Sequence, residues 1–362
     1  MNTNNQNTVA VVLAAGKSKR MNSDFSKVLH KIYGKTMLEY VLDAVTNCGI
    51  KRILAVTNGQ KEISALCKEK NIDIVIQRKL LGTANAVKQT EKVLRSFKGN
   101  VLIVYGDTPL ITSATLSKLL EKHYSGNYAC TFITTFMENP MGYGRIVRDD
   151  KDNIMKIVEE VDASRYEKAI KEINAGIYIF RKKDLFNIIN KIKRDSITKE
   201  YYLTHAIKLL YRLGKRTESV IIDNDDELIG VNSREELAKA HNFIKNRILK
   251  VLLENGVGII DPLTTHIYND VKIGKDTIIY PFTFIESDVN IGKRCRIGPF
   301  SFVGVNTRIS DEVKISNFVK IKNSKIGEGS IIGNNSSVIN SKLPKNTILK
   351  PGSFLNKPSN KE

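Results

Sequence analysis

Cysteine is scarce in this 362-residue sequence: Cys48, Cys67, Cys130 and Cys295 are widely scattered. No C-x-x-C pair occurs and no histidine stands at zinc-ligand spacing, which excludes a disulfide framework and a zinc site and leaves reduced thiols as the expectation. The five histidines are unclustered, so packed or solvated roles are expected of them. Long apolar runs are missing too, since no stretch approaches the ~18 residues that a membrane span needs. Met1–Thr8 is polar and uncharged, and the apolar run Val9–Ala15 stops at Gly16 and Lys17. That pattern predicts neither signal peptide nor anchor, and therefore a soluble, cytoplasmic chain with no membrane partner. Also lacking are G-x-x-x-x-G-K-[ST] and G-x-G-x-x-G, which argues against an ATPase and a dinucleotide dehydrogenase.

What remains is 41% hydrophobic and 26% charged, the balance of a globular protein. At ~100–200 residues per domain the length predicts two domains, each able to bury its own core. The 57 basic and 38 acidic residues give a net charge of +19. The excess is diffuse, +13 over residues 1–255 and +6 over 256–362, with no isolated basic tail. With no nucleic-acid module in view, a solvated lysine-rich surface or capture of a polyanionic small substrate is expected, and no nucleic-acid partner.

Between Val9 and Val104 strand-length apolar runs alternate with helix-period segments. Strands are expected at Val9–Ala14, Ile53–Thr57, Ile72–Ile76 and Val101–Tyr105, and helices at Met37–Asn47, Glu62–Lys70 and Ala84–Leu94. The alternation predicts an α/β, Rossmann-like sheet, doubly wound and mostly parallel, with ligands at the carboxyl ends of its strands. Looser strands around Cys130–Phe136, Ile146–Val147 and Ile177–Phe180 suggest a smaller subdomain between Ala129 and Ile222. Ser233 and Glu236 form a capping box. A connecting helix is expected from there to Gly256, with Leu237, Ala240, Ile244, Ile248, Val251 and Leu252 on one face.

Beyond Gly256 the period changes to six. Ile267, Ile273, Ile279, Ile285, Ile291, Ile297, Val303, Ile309, Ile315 and Ile321 follow at that interval, and Ile326, Ile332 and Val338 continue after a one-residue slip. A triangular β-solenoid with one inward aliphatic per flat face has this period, and thirteen positions amount to about four coils. Glycines after the aliphatic, at 274, 292, 298, 304, 327 and 333, are expected to supply tight corners. The pattern resembles left-handed parallel β-helices of hexapeptide repeats, and that resemblance implies a homotrimer. The expected divisions are a first domain over 1–232, a connecting helix over 233–256, the β-helix over 257–355 and a polar tail over 356–362.

The stretch Leu13–Met21 follows the first strand, and its backbone N–H groups with Lys17, Lys19 and Arg20 could cradle phosphates. It is accompanied, in order, by Lys27–His30, Gly34–Met37, Gln77 with Leu81–Ala84, Tyr105–Leu110, Gly142–Ile146, Ile157–Glu159 with Asp162 and Ala163, Glu172–Asn174, Glu200–Leu203 and Gly230–Asn232. Over nearly the whole chain this set resembles the bacterial N-acetylglucosamine-1-phosphate uridyltransferases, one half of a bifunctional enzyme that also acetylates glucosamine 1-phosphate.

The resemblance implies Mg2+-dependent transfer of uridylyl from UTP to N-acetylglucosamine 1-phosphate. Such a transfer needs attacking oxygen, α-phosphorus and leaving pyrophosphate held in line, with cations on the accumulating charge. Arg20 and Lys27 suit the cationic role, and Asp107 and Asn232 are the implied Mg2+ ligands. Leu13, Ala14, Ala15, Gly16, Gln77, Gly82 and Thr83 are implied around the nucleotide, with Gln77 reading the base edge. Tyr105 and Gly106 flank Asp107 in the substrate-binding set. Gly144, Glu159 and Asn174 are implied at the sugar. A different sugar or base, or a catalytically dead sugar-nucleotide-binding subunit, are the alternatives.

Several positions depart from the family pattern. Its L-A-A-G-x-G-T-R-M reads Lys17, Ser18, Lys19 and Arg20 after Gly16, so Ser18 replaces a glycine and Lys19 a threonine. Ser26 replaces a proline, and Ala175 a threonine. In the β-helix the family's catalytic histidine falls on Asn334, its phosphate-binding arginine on Gly304 and its tyrosine on Ser337, although Lys322 is kept. An amide cannot accept a proton as imidazole does. The sequence also ends soon after these coils, and no acetyltransferase activity is expected.

Overall fold

The computed structural model describes residues 7–16, 19–223 and 225–357, apart from the side chains of Lys19 and Asp225. Lys17, Ser18 and the Lys19 side chain, expected to cradle phosphates, lie outside the described residues, as do 358–362 of the polar tail. The chain divides into two compact units, one formed by Met1–His30 and Thr36–Leu237, the other by Lys31–Lys35 and Ala238–Glu362. Among the described residues no helix is long and apolar enough to cross a membrane. All four cysteines are free and buried, and burial pushes the thiols of Cys48 and Cys67 up to about 11.

The strand Thr8–Leu13 shows why the first unit is layered: Val9, Val11 and Leu13 enter one apolar cluster while Ala10 and Val12 enter another. A strand buried on both faces belongs in a parallel sheet covered by helices on each side. It pairs in parallel with Arg52–Thr57 and Asn100–Tyr105. The sheet runs, edge to edge, Thr217–Ile221, Cys130–Phe136, Glu172–Arg181, Asn100–Tyr105, Thr8–Leu13, Arg52–Thr57 and Asp73–Ile76. Only Glu172–Arg181 among these runs against its neighbours. The expected separate subdomain between Ala129 and Ile222 is therefore corrected. Its long strands extend the main sheet, because Phe132, Tyr178 and Phe180 bury against the same cluster as Val101 and Ile103. The hairpin Arg145–Arg148 with Ile154–Val158 pairs off the side of Glu172–Arg181.

Helix Met37–Asn47 occupies the expected residues, opened by a capping box in which the Glu39 N–H donates to Thr36 Oγ1 and the Thr36 N–H to Glu39 Oε2. The helix expected over Ala84–Leu94 is shorter, Thr83–Lys88. Beyond it the buried Thr90 hydroxyl donates to the Val87 carbonyl at 2.7 Å, a local bond that competes with helix continuation. The Ser233–Glu236 capping box is formed and opens helix Arg234–Glu254. Val251, expected on its apolar face, is 55% exposed, and Leu249 is buried instead.

The second unit is a left-handed β-helix of three parallel sheets with six, six and five strands. The expected inward aliphatics from Ile267 to Val338 all belong to its apolar core, Ile273 packing at the edge of it. The solenoid is longer than the four coils expected, since Ile259 precedes the regular run and Leu343, Leu349 and Leu355 follow it after a second slip. Each slip shortens the same face, so that Ile309 pairs with Ile326 and Ile326 with Leu343, 17 positions apart where the earlier coils repeat at 18.

The corners are not made as expected. Of the expected glycines only Gly298, at φ +93°, takes a left-handed turn, and positive φ otherwise falls on other residues, among them Asp276, Phe282, Asp288, Arg294, Phe300 and Asn306. The glycines serve closeness between coils instead: a Cβ on Gly274 would stand 2.7 Å from the Gly292 carbonyl carbon, and one on Gly292 2.6 Å from the Asp311 nitrogen. Buried hydroxyls complete the stacking, as where Thr277 donates to the Gly292 carbonyl and Ser330 to that of Pro344.

Candidate active site

The site is built at the carboxyl edge of the first unit's sheet. Leu13, Ala14 and Ala15 leave the first strand buried, and Gly16 turns outward. The Ala14 N–H is committed to the Val56 carbonyl at 2.8 Å and the Gly106 N–H to that of Leu13 at 2.9 Å. These bonds fix the two loops but remove both N–H groups as donors to a ligand. A Cβ on Gly16 would lie 3.8 Å from Lys27 Cε, which puts the lysine stem beside this glycine.

Lys27 begins the 3-10 turn Lys27–Leu29, anchored by buried Val28. Ser26, at its cap, has φ −58°, the value a proline ring enforces, so replacement of the family's proline leaves the backbone path unchanged. The Lys27 ammonium donates to Asp107 Oδ2 and, at 2.6 Å, to Asn232 Oδ1. Asn232 Nδ2 donates to the Gly230 carbonyl at 3.0 Å, which fixes the amide with its oxygen toward the cation. The Asn232 N–H donates to Glu236 Oε2 at 2.6 Å, so the helix cap also seats this residue. The Val231 N–H donates to the Asp107 carbonyl at 2.7 Å and ties the two loops together.

One carboxylate and one amide oxygen therefore converge on a single cationic atom. Both are hard oxygen donors of the kind Mg2+ takes, and an ion that keeps waters and substrate phosphates needs only one or two from protein. The donor set fits the expected metal.

A second group surrounds Tyr105. Thr83 hydrogen-bonds its hydroxyl, Gly176 lies under its ring with a hypothetical Cβ 2.8 Å from Cε2, and burial raises its pKa, helped by the negative charges of Glu159 and Asp107. Gly82, with φ +100°, opens the short helix after it. Any Cβ there would stand 2.7 Å from the Tyr201 backbone, so a side chain is excluded. Buried Gln77 donates to the Gly82 carbonyl at 3.2 Å.

Of the expected sugar residues, Gly144 and Asn174 meet, while Glu159 is held separately. The Asn174 N–H donates to the Gly144 carbonyl at 2.9 Å, and Asn174 Nδ2 to the Tyr178 hydroxyl at 2.7 Å. Glu159 accepts from the Thr204 hydroxyl at 2.6 Å. Burial raises the Glu159 pKa above its ordinary 4.5, and the Thr204 bond offsets part of that rise. Arg20 is exposed on the turn Lys19–Met21, and no hydrogen bond or ion pair among the described residues joins it to Asp107 or Asn232.

Sequence reasoning missed Tyr178, Thr204 and Asn85, whose side chains hold Asn174, Glu159 and Gln77. Thr204 directly follows the Glu200–Leu203 stretch, which was a usable signal. Tyr178 reads as a strand aromatic and carries none.

Residues 10–165 match the family model of the MobA-like NTP transferase domain, and residues 266–304 that of the bacterial transferase hexapeptide (six repeats). The chain is 43% identical over 341 residues to the bifunctional protein GlmU of Acetivibrio thermocellus, covering 90% of this chain and 73% of that one. It is 40% identical to GlmU of Caldicellulosiruptor saccharolyticus, covering 93% and 77%. Against GlmU of Clostridioides difficile it is 38% identical, covering 96% and 72%. With a nucleotidyltransferase sheet carrying the oxygen and ammonium cluster, a hexapeptide solenoid after it, and this identity along nearly all its length, the chain belongs to the GlmU family.

Proposed function

We propose that this enzyme transfers uridylyl from UTP to N-acetylglucosamine 1-phosphate. A phosphate oxygen of the sugar attacks the α-phosphorus, the bond to the bridging β-phosphate oxygen breaks, and pyrophosphate leaves. The observation that carries this reading is the convergence of Lys27, Asp107 and Asn232 beside Gly16. Asp107 and Asn232 would hold Mg2+, which when bound neutralises phosphate charge.

Lys27, on a flexible stem, can exchange Asp107 for a phosphate oxygen, and Arg20 adds a second cation toward the leaving group. Leu13, Ala15 and the loop at Gly106 wall the nucleotide, while Gln77 with Ala14, Gly82 and Thr83 surrounds the uracil. Glu159 accepts from sugar hydroxyls, and Asn174 beside Gly144 faces the acetamido group. Glu159 must be ionised to act so, and its raised pKa makes sugar binding weaken as acid is added.

The β-helix would assemble three copies in the cytoplasm, and the product would feed cell-wall polysaccharide synthesis. We assign no acetyl transfer to the solenoid. Asn334 is an exposed amide, and the Lys322 stem and the Phe302 ring lie 2.9–3.2 Å from where a Gly304 side chain would begin.

The test is pyrophosphate release from UTP, expected to require both Mg2+ and N-acetylglucosamine 1-phosphate. Equal turnover with other sugar 1-phosphates, or none with any, would overturn the assigned acceptor. Acetyl-CoA with glucosamine 1-phosphate should liberate no CoA, and steady CoA release would restore the second activity.

A further inference from the structure

Gln77 follows the strand Asp73–Ile76 at the carboxyl edge of the sheet, its own N–H donating to the Thr57 carbonyl at 2.8 Å. Its side chain is almost wholly buried, with 3% exposure for the residue. Gln77 Nε2 donates to the Gly82 carbonyl at 3.2 Å and to Asn85 Oδ1 at 2.9 Å. A backbone carbonyl can only accept, so the Gly82 contact decides which end of the Gln77 amide is nitrogen. That in turn decides that Asn85 presents its oxygen. Two acceptors now occupy the two N–H bonds of one amide nitrogen, and only Oε1 of Gln77 is left to meet a ligand.

We propose that Asn85 is a positioning residue that makes Gln77 a hydrogen-bond acceptor only, and thereby makes the enzyme select a nucleobase with a ring N–H. The assignment rests on the uridylyl-transfer reading and deepens it. Uracil offers N3–H at the centre of its pairing edge and satisfies Oε1. Cytosine has a lone pair at N3, so two acceptors would face each other with no hydrogen between them. Without Asn85 a single bond, the longer one to Gly82, opposes a flip of the amide, so the flip that offers N–H to cytosine costs less. Asn85 acts through Gln77 and need not touch the nucleotide.

The experiment compares kcat/KM for UTP and CTP, with N-acetylglucosamine 1-phosphate and Mg2+, in wild type, Asn85→Leu and Asn85→Asp. Asn85 lines a cavity of about 200 Å3 with Ala84, Lys88 and Tyr201, which gives a leucine room. The UTP-to-CTP ratio should fall by about tenfold in Asn85→Leu, chiefly through a lower KM for CTP. Asn85→Asp keeps an acceptor at the same place and should hold the ratio within about twofold of wild type. Should the leucine variant fail to fold, Asn85→Ala removes the same bond with a smaller side chain. An unchanged ratio in a folded Asn85→Leu or Asn85→Ala, or an equal loss with both nucleotides, overturns the positioning role while leaving uridylyl transfer standing. A wild type with no preference for UTP overturns the uridylyl reading itself, and this assignment with it.

Discussion

Both units are built on parallel strands, yet they use their buried polar side chains in opposite ways. In the solenoid the inward hydroxyls, such as Thr277, Ser301, Ser330 and Ser336, donate to carbonyls of the next coil, and the pattern repeats along the stack. Each is satisfied by the repeat itself, so it stabilises stacking and offers little to a ligand. In the sheet unit Asp107, Asn232, Gln77, Asn174 and Glu159 each sit at a strand end or loop, held by one or two neighbours that fix which atom faces the site. Periodic satisfaction makes a scaffold, whereas aperiodic, partial satisfaction at a sheet edge makes chemistry.

Four measurements can break or sharpen that contrast. The largest effect is expected from Asp107→Ala, which should lower kcat for pyrophosphate release by about 10³-fold with little change in Tm. Retained turnover would remove Asp107 from the chemistry. Next, Ile321→Ala should destabilise the solenoid by about 2–4 kcal/mol, read from denaturant midpoints, because the residue is wholly buried among neighbouring coils. Its kcat for uridylyl transfer should stay within about twofold, and a parallel loss would show that the scaffold shapes the chemistry.

Third is a pH effect confined to the sheet unit. Burial, helped by the charge of Arg181, lowers the His123 pKa to about 4 from its ordinary 6.5. The folded state thus keeps this imidazole neutral where the unfolded state binds a proton. Stability is full above about pH 6.5 and should decline by about 2–3 kcal/mol as pH falls toward 4. His123→Gln should flatten that slope, and an equal slope in the variant would assign the acid sensitivity elsewhere. The smallest effect is expected from Glu159→Gln, which should raise KM for the sugar phosphate by about tenfold with kcat less affected. In wild type that KM should climb as pH falls through a Glu159 pKa held above 4.5, mainly by burial, and the variant should lose the dependence. A KM insensitive to both pH and substitution would remove Glu159 from the sugar site.

Legibility followed the same division. The solenoid announced itself because a period of six imposes the same burial on every face, and its true length was obscured by the second slip, at Leu343, and by the irregular start at Ile259. Its corners were misread for a physical reason: Gly274 and Gly292 are small because coils approach closely, while residues such as Phe282 and Asn306 take the left-handed turns. In the sheet unit the strands and capping boxes were visible locally. The membership of Glu172–Arg181 in the main sheet was not, because nothing local in a strand names its partner.

By itself the sequence determined the two architectures, the helix Met37–Asn47, the capping box at Ser233 and the family to which the motifs belong. Those features follow from local periodicity, local hydrogen bonds and residue identity. Tertiary structure alone decided that Lys27 meets Asp107 and Asn232, 80 and 205 positions away, and that Gln77 is left with only an acceptor. The orientation of an amide or an ammonium depends on which oxygens the fold brings within hydrogen-bond reach of it, whether five positions away, as Gly82 is from Gln77, or 205, as Asn232 is from Lys27, and no linear pattern carries that information.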